Sequence, residues 1–460
     1  MEHRSMETRT IQVTEEKKAL RGSLAETIEG FFLKHRDRFW KVHVVVLLLM
    51  VVLIGVPAFM PLPDEEASLF DDFSLFANFI IWGVWFPLLF LSVIFAGRLW
   101  CGVFCPQGAA SEYASKKGFA LAPPRWLRRD WIAIVSFVAV TIFGQVVGVR
   151  DYPLATLEVL GGTTLVAVLV GYIYGGGRRV WCRYLCPMGP LLGVLSRLGA
   201  VSFERAAGSA KGYPCPTFVN TATKTSSANC IECFRCVNPE ERGTLRVRLR
   251  RLGREVEEIE RREPNLWEVL FLFSATGLAL GAFYWQISPL YIRLKHALGD
   301  IFMDLGLLHV VGSSGPRWLM VNYPEAGEVF LWLDVMAITI FMVTSMVAVA
   351  LALSVFTALA SLIDRRGLSV KDGFLRFGYV YGPVALLSLV IGLGQILFQT
   401  TTALGVTQQV VKSLEMAFFA AGGLWSVYLA YRLAKGNMLT MVPLSLGTVL
   451  VAALWYGVLF

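Results

Sequence analysis

The chain is 460 residues long, with 55% hydrophobic and 17% charged side chains, a mean hydropathy of +0.59 and a formal net charge of +8. A composition this apolar excludes a string of soluble domains and describes a polytopic membrane protein. The basic excess does not require nucleic acid, because its distribution along the chain follows a membrane pattern.

Residues 1–40 form a polar, charged tail expected on the cytoplasmic side. Behind it, apolar runs of about 20 residues, long enough to cross a bilayer as helices, lie near 42–60, 77–96, 131–149, 157–176, 266–286, 329–356, 379–399, 413–431 and 438–459. These nine predict an all-α polytopic membrane fold. The first run lacks a small-residue cleavage site and reads as a retained span, not a signal peptide. With the N-terminus inside, 37 of the 42 lysines and arginines fall in segments 1–41, 97–130, 178–265, 364–377 and 432–437. Positive residues stay in the cytoplasm, so the N-terminus and those segments are expected there. The basic stretch Arg246 to Arg262 then reads as a solvated face beside the membrane.

Residues 41–200 contain a duplication of helix, outside loop, helix and cysteine motif. "RLWCGVFCPQG" from Arg98 returns as "RRVWCRYLCPMG" from Arg178. Both copies cross the membrane in the same direction, so an axis near the membrane normal relates them and brings the two cysteine pairs together. Cys101/Cys105 and Cys182/Cys186 stand at i, i+4, which on a helical turn points both sulfurs the same way. Proline after the second cysteine constrains the backbone leaving the site. Two ligands cannot close a cluster site, but two related pairs make four, and one cluster bridging the repeats is expected. Flanking Arg98, Arg178, Arg179 and Arg183 would offset the charge of a thiolate-bound cluster. Trp100 and Trp181 read as interfacial anchors. The alternative for the four cysteines is a role as small buried hydrophobes.

Residues 201–265 form a cytoplasmic ferredoxin-like insert and basic linker. In "CIECFRC", Cys230, Cys233 and Cys236 have the C-x2-C-x2-C spacing of iron–sulfur loops, which hold three corners of a cubane and take the fourth from elsewhere. Glu240 stands where a two-cluster ferredoxin would continue, so Cys215, itself followed by proline, is the expected fourth ligand. Four cysteines also suit zinc, although this run packs thiolates closer in sequence than the usual two-plus-two arrangement. All eight cysteines lie in inside segments. Disulfides are rare in the cytosol, so metal ligation is expected: one [4Fe–4S] cluster on Cys215, Cys230, Cys233 and Cys236, and one on Cys101, Cys105, Cys182 and Cys186.

Residues 266–460 form a second transmembrane bundle of about five helices without cysteine. Its outside segment, 287–327, is long enough for a cap or docking surface. Asp334, Gln395, Gln399 and Glu415 are intramembrane polar candidates for quinone protonation, against a helix-end or interfacial reading. His43 near the inside and His296 and His309 outside offer no facing pair for haem, and no C-x-x-C-H occurs. No G-x-G-x-x-G after a strand, Walker loop or H-E-x-x-H supports hydride transfer, ATP use or zinc hydrolysis.

On "GRLWCGVFCPQG", "RRVWCRYLCPMG" and "CIECFRC", the chain resembles the membrane-bound ferredoxin-type 4Fe–4S family with paired CxxxCP motifs, typified by NapH, NosR and CcoG. The resemblance covers about residues 40–240. It carries the CxxxCP cysteines onto Cys101, Cys105, Cys182 and Cys186, and the ferredoxin cysteines onto Cys230, Cys233 and Cys236. Family members commonly have two complete ferredoxin runs, whereas this chain has one closed by Cys215, followed by five further helices. The resemblance implies a multi-pass protein of the bacterial inner membrane that relays single electrons. The exchange would run between the quinone pool or a cytoplasmic donor and a respiratory or dehydrogenase redox partner, as the electron-transfer component of an oxidoreductase system. Two other classes stay open: a metal or cofactor reductase acting in maturation of another enzyme, and a membrane redox sensor.

Overall fold

The computed structural model describes residues 22, 24–64, 67–205, 212–241, 243–364 and 369–460. Most of the expected N-terminal tail lies outside the described residues. Among these residues, nine helices are long and apolar enough to cross a membrane. They are α1 (Leu24–Phe59), α2 (Phe73–Ala96), α3 (Asp130–Val147), α4 (Pro153–Ile173), α5 (Leu266–Tyr284), α6 (Trp332–Ile363), α7 (Val370–Ala403), α8 (Gln408–Ala434) and α9 (Met438–Leu459). The fold is that of an all-α multi-pass membrane protein, and each expected span falls on one of these helices. Several extend beyond the sequence estimate, because a helix continues past the apolar run wherever its end packs against protein. α1 is the extreme case: it begins 18 residues before the expected span at 42, and its first turns pack on the insert.

α1–α4 reproduce the duplication. Each copy is a helix pair, and the second helix of each pair widens into a π-turn, at Phe79–Trp85 in α2 and Leu157–Gly161 in α4. Such turns leave backbone groups displaced from the regular ladder and are frequent at functional sites.

One continuous apolar core joins both halves. Phe90 and Val93 of α2, Phe137 of α3, Phe271 and Leu272 of α5, Ile338 and Met342 of α6 and Leu386 of α7 all belong to it. The segment between α5 and α6 folds back over the first half: Val321 N–H donates to Val146 O at 2.9 Å, and Tyr323 stacks on Tyr152 at 3.7 Å between ring centroids.

The insert is small. Strand β1 (Val201–Arg205) pairs antiparallel with β2 (Leu245–Leu249), in a register that sets Phe203 opposite Val247. Phe203, Phe234, Val237, Leu245 and Val247 form its own core. Phe32 at the start of α1 stacks on Phe234 at 4.7 Å, and Glu29 accepts from Arg246 Nε at 2.6 Å and from Val247 N–H at 2.8 Å. The start of α1 therefore clamps the insert to the end of the bundle that carries the cysteine motifs.

Candidate iron–sulfur site

Each CxxxCP motif closes as one wide turn. The second cysteine donates its backbone N–H to the carbonyl of the Trp five residues before it, Cys105 to Trp100 at 2.9 Å and Cys186 to Trp181 at 2.8 Å. The sequence reading of an ordinary helical turn needs correction here: Trp100–Phe104 is π-helical, and Cys105 already has extended dihedrals. The following proline has no N–H to give, so the backbone turns away. The first N–H beyond it that meets the sulfur is that of Gly108, which reaches Cys105 Sγ at 3.4 Å.

Gly108 also shows how the two repeats meet. A Cβ built there would lie 3.0 Å from Cys182 Sγ and 3.6 Å from Cys105 Sγ. The thiols of Cys105 and Cys182, one from each copy, thus flank a single glycine. Burial first, and then each other's proximity, push the Cys105, Cys182 and Cys186 thiols up, with Cys186 reaching about 12. Bare, these thiols would stay protonated; thiolate-binding iron would reverse that preference.

Cys215, Cys230, Cys233 and Cys236 line one small cavity of about 20 Å³ within the insert, together with Lys224, Glu232 and Phe234. The loop bends sharply there, with Glu232 and Phe234 in the left-handed region at φ 53° and 61°. That conformation costs a non-glycine residue free energy and turns successive cysteines inward. Burial again dominates the Cys230 thiol, pushed up to about 12, while Glu232 and Cys233 add to it. All eight cysteines are free thiols. Among the described residues no group of three His, Cys, Asp or Glu side chains is arranged around a single metal ion. The donors are thiols throughout: Cys215, Cys230, Cys233 and Cys236 share one cavity, and Cys105 and Cys182 meet across Gly108, a donor type that suits iron–sulfur chemistry.

The two groups are neighbours. A Cβ on Gly102, between Cys101 and Cys105, would lie 2.2 Å from Ile231 O, so the first motif rests directly on the backbone of the ferredoxin loop. Two buried arginines stitch the contact. Arg98 donates to Ala228 O at 2.6 Å and approaches Cys101 Sγ at 3.9 Å. Arg179, 2% exposed, donates to Cys101 O and Glu112 Oε2, both at 2.7 Å, and its backbone N–H donates to Pro216 O at 2.8 Å. Of the four flanking arginines, these two are buried. Arg183 instead reaches Asn229 at 2.6 Å, and Arg178 lies over the Phe218 ring. Trp181 is 3% exposed and packs inside the protein, contrary to its expected role as an interfacial anchor; Trp100 packs edge-on against Trp85 at 4.9 Å.

A cavity of about 440 Å³ runs from this point between the two halves of the bundle. Cys101, Cys105 and Cys186 line one part of it. Its walls are mainly apolar, including Trp82, Trp85, Leu272 and Phe283; the polar lining is Gln107, Gln145, Thr141, Thr163, Thr164 and Thr276, with Arg150 as its charged member. Gln107 donates to Thr163 Oγ1 at 2.9 Å and Thr164 Oγ1 at 3.0 Å.

Asp334, Gln395, Gln399 and Glu415 do not line this cavity. Asp334 caps the start of α6, accepting from Leu331 N–H at 3.0 Å and pairing with Lys295. Glu415 takes a hydrogen bond from Gln395 at 3.1 Å. His43 belongs to α1, while His296 and His309 are exposed on the segment between α5 and α6. Sequence reasoning missed Glu112, Gln107 and the cavity. The only available signal was position, since Gln107 and Glu112 fall two and seven residues after Cys105 on the helix Pro106–Lys117.

Duplicated helix pairs, matched cysteine turns and a cysteine-rich loop meet in one multi-pass membrane bundle, with thiol donors of the kind that iron–sulfur clusters use. The comparisons agree: a family model described as a 4Fe-4S binding domain matches residues 78–134 and 158–205, and these contain Cys101, Cys105, Cys182 and Cys186. YccM of Escherichia coli (strain K12), named as a candidate electron transport protein, is 26% identical over 43% of this chain and 65% of its own length. Two uncharacterized proteins of Methanocaldococcus jannaschii are each 24% identical, over 33% and 30% of this chain and 64% and 67% of their own lengths. The chain thus spans just under two thirds of the first two relatives. No solved structure matches it.

Proposed function

We propose that the protein relays single electrons between a membrane quinol and a redox partner. One [4Fe–4S] cluster would be held by Cys101, Cys105, Cys182 and Cys186, and another by Cys215, Cys230, Cys233 and Cys236. When bound, the clusters supply one-electron redox chemistry. The observation that carries the reading is the cavity of about 440 Å³ with three CxxxCP cysteines in its wall. Its apolar walls exclude water and suit a quinone ring and isoprenoid tail, while Gln107 and the two threonines hold the polar end. Arg98 and Arg179 fix the motifs against the insert and offset thiolate charge. The electron-transport name of the Escherichia coli relative points the same way.

In this reading the parts are a tail at 1–40, the duplicated cysteine-bearing bundle at 41–200, the cluster insert and linker at 201–265, and a second bundle at 266–460. The cysteines face the cytoplasm of a bacterial inner membrane, where the excess of Lys and Arg belongs. Protein purified without oxygen should contain about eight irons per chain, from two clusters of four. A Cys101→Ser, Cys182→Ser variant should lose one paramagnetic cluster signal and keep the other. In the untreated protein, a short-chain quinol should reduce the clusters. About four irons in the parent protein, or clusters that quinol leaves oxidised while dithionite reduces them, would overturn the proposal.

A further inference from the structure

The side of the molecule that carries the cysteines holds a second built feature, apart from them. α8 ends at Ala434 and α9 begins at Met438, so residues 435–437 mark the level at which the chain leaves and re-enters the bilayer. A cavity of about 670 Å³ opens there, between this turn and the linker turn Arg254–Glu257. Its charged lining is Arg251, Arg254, Glu257, Glu258, Arg432 and Lys435, four cations against two carboxylates.

The carboxylates are only partly used. Glu258 takes Arg254 at 2.8 Å and Arg262 at 2.9 Å. Glu257 Oε2 takes Arg251 at 2.5 Å and Arg432 at 3.3 Å. Its other oxygen, Oε1, is buried without a hydrogen-bond partner among the described residues, on a side chain 8% exposed. An orphaned carboxylate oxygen in a site of positive net charge asks for a ligand that is anionic overall and still donates a hydrogen bond. Lys435 makes no ion pair among the described residues. Leu424, Tyr428 and Tyr431 are exposed on one face of α8 at steps of four and three, forming an apolar track that runs from the cavity along the span.

We propose that this cavity binds the headgroup of phosphatidylglycerol from the leaflet on the cysteine side. The phosphodiester takes Lys435 and the guanidinium groups of Arg432 and Arg254, a glycerol hydroxyl donates to Glu257 Oε1, and an acyl chain lies along the track. Phosphatidylcholine offers no donor for Glu257. Phosphatidylethanolamine offers one but brings no net charge. Inorganic phosphate meets the cations and leaves the track bare. A bound headgroup would join the linker that ends the insert to the second bundle.

The test uses the full-length protein in detergent, with dihexanoyl lipids as probes and both the thermal midpoint and lipid retention in native mass spectrometry as readouts. Phosphatidylglycerol should bind saturably and raise the midpoint, whereas phosphatidylcholine, phosphatidylethanolamine and inorganic phosphate should do neither at the same concentration. Lys435→Gln, which breaks no ion pair, should weaken phosphatidylglycerol binding at least tenfold, and Arg432→Gln with Lys435→Gln should abolish it. Undiminished affinity in Lys435→Gln, or an equal response to any of the other three probes, would overturn the assignment.

Discussion

Glu112 is 4% exposed and takes Arg179 at 2.7 Å, with Arg235 on its other oxygen. Burial alone would raise its pKa, but the two guanidinium groups outweigh that and hold the carboxyl below its usual range. A depressed carboxylate stabilises the fold above its unfolded pKa and loses that contribution as pH falls through the folded value. Glu112→Gln leaves Arg179 buried without its counter-charge, which for such pairs costs about 3–5 kcal/mol. The variant should melt well below the parent at neutral pH, and the gap between the two melting curves should close on acidification. A pH-independent gap would assign the loss to packing. Gly102 acts through shape: alanine there would press on Ile231 O, since even the nearest approach is only 2.2 Å. Overpacking of this kind costs about 1–3 kcal/mol. Gly102→Ala should therefore separate the first motif from the ferredoxin loop, read as altered magnetic coupling between two clusters whose iron content is unchanged.

At the scale of elements, the spans and the matched cysteine turns were legible because each rests on a signal the sequence repeats. Apolar length gives a span wherever it occurs, and one motif found twice implies two equivalent turns. The shape of those turns was not legible. Cys101 and Cys105 at i, i+4 suit an α-turn, and no residue preference distinguishes it from the observed bond five residues back, which both copies make. Glu112 was hidden for a related reason: in "PQGAASEYASKK" it reads as a solvated helix position, and its partner Arg179 lies 67 residues away. The insert shows how a short element is held by remote ones. Its strands bury Phe203 and Val247 around Phe234, and Phe32 of α1 covers that ring. Phe234→Ala should cost about 3–5 kcal/mol, concentrated in the insert because the bundle has its own core. Limited proteolysis should then cut within 201–265 while the spans stay protected. Cleavage spread evenly over the chain would refute a separately cored insert.

For the whole molecule, the question is why a second helical bundle accompanies the eight cysteines, all of which precede it. The cavity beside the cysteine motifs needs both halves: α2 supplies Trp82 and Trp85, the helix Pro106–Lys117 supplies Gln107, and the later helices supply Leu272, Ala279, Phe283 and Leu389. Empty volume leaves no mark in a sequence, since it depends on how far apart two apolar faces come to rest, and each face alone reads as lipid-facing. The sequence therefore directed attention to Asp334 and Glu415, which cap a helix and pair with a neighbouring amide outside the cavity. If the cavity holds the quinone ring, filling it from the second half should block binding without disturbing the cysteines. Ala279→Phe adds a ring at a wall residue that is partly buried and bears no polar contact. The variant should keep its iron content and thermal midpoint. It should lose at least tenfold in affinity for a short-chain quinone analogue, about 1.4 kcal/mol, and its clusters should still accept electrons from dithionite. Quinone affinity equal to that of the parent would place the electron donor elsewhere and leave the second bundle as a scaffold.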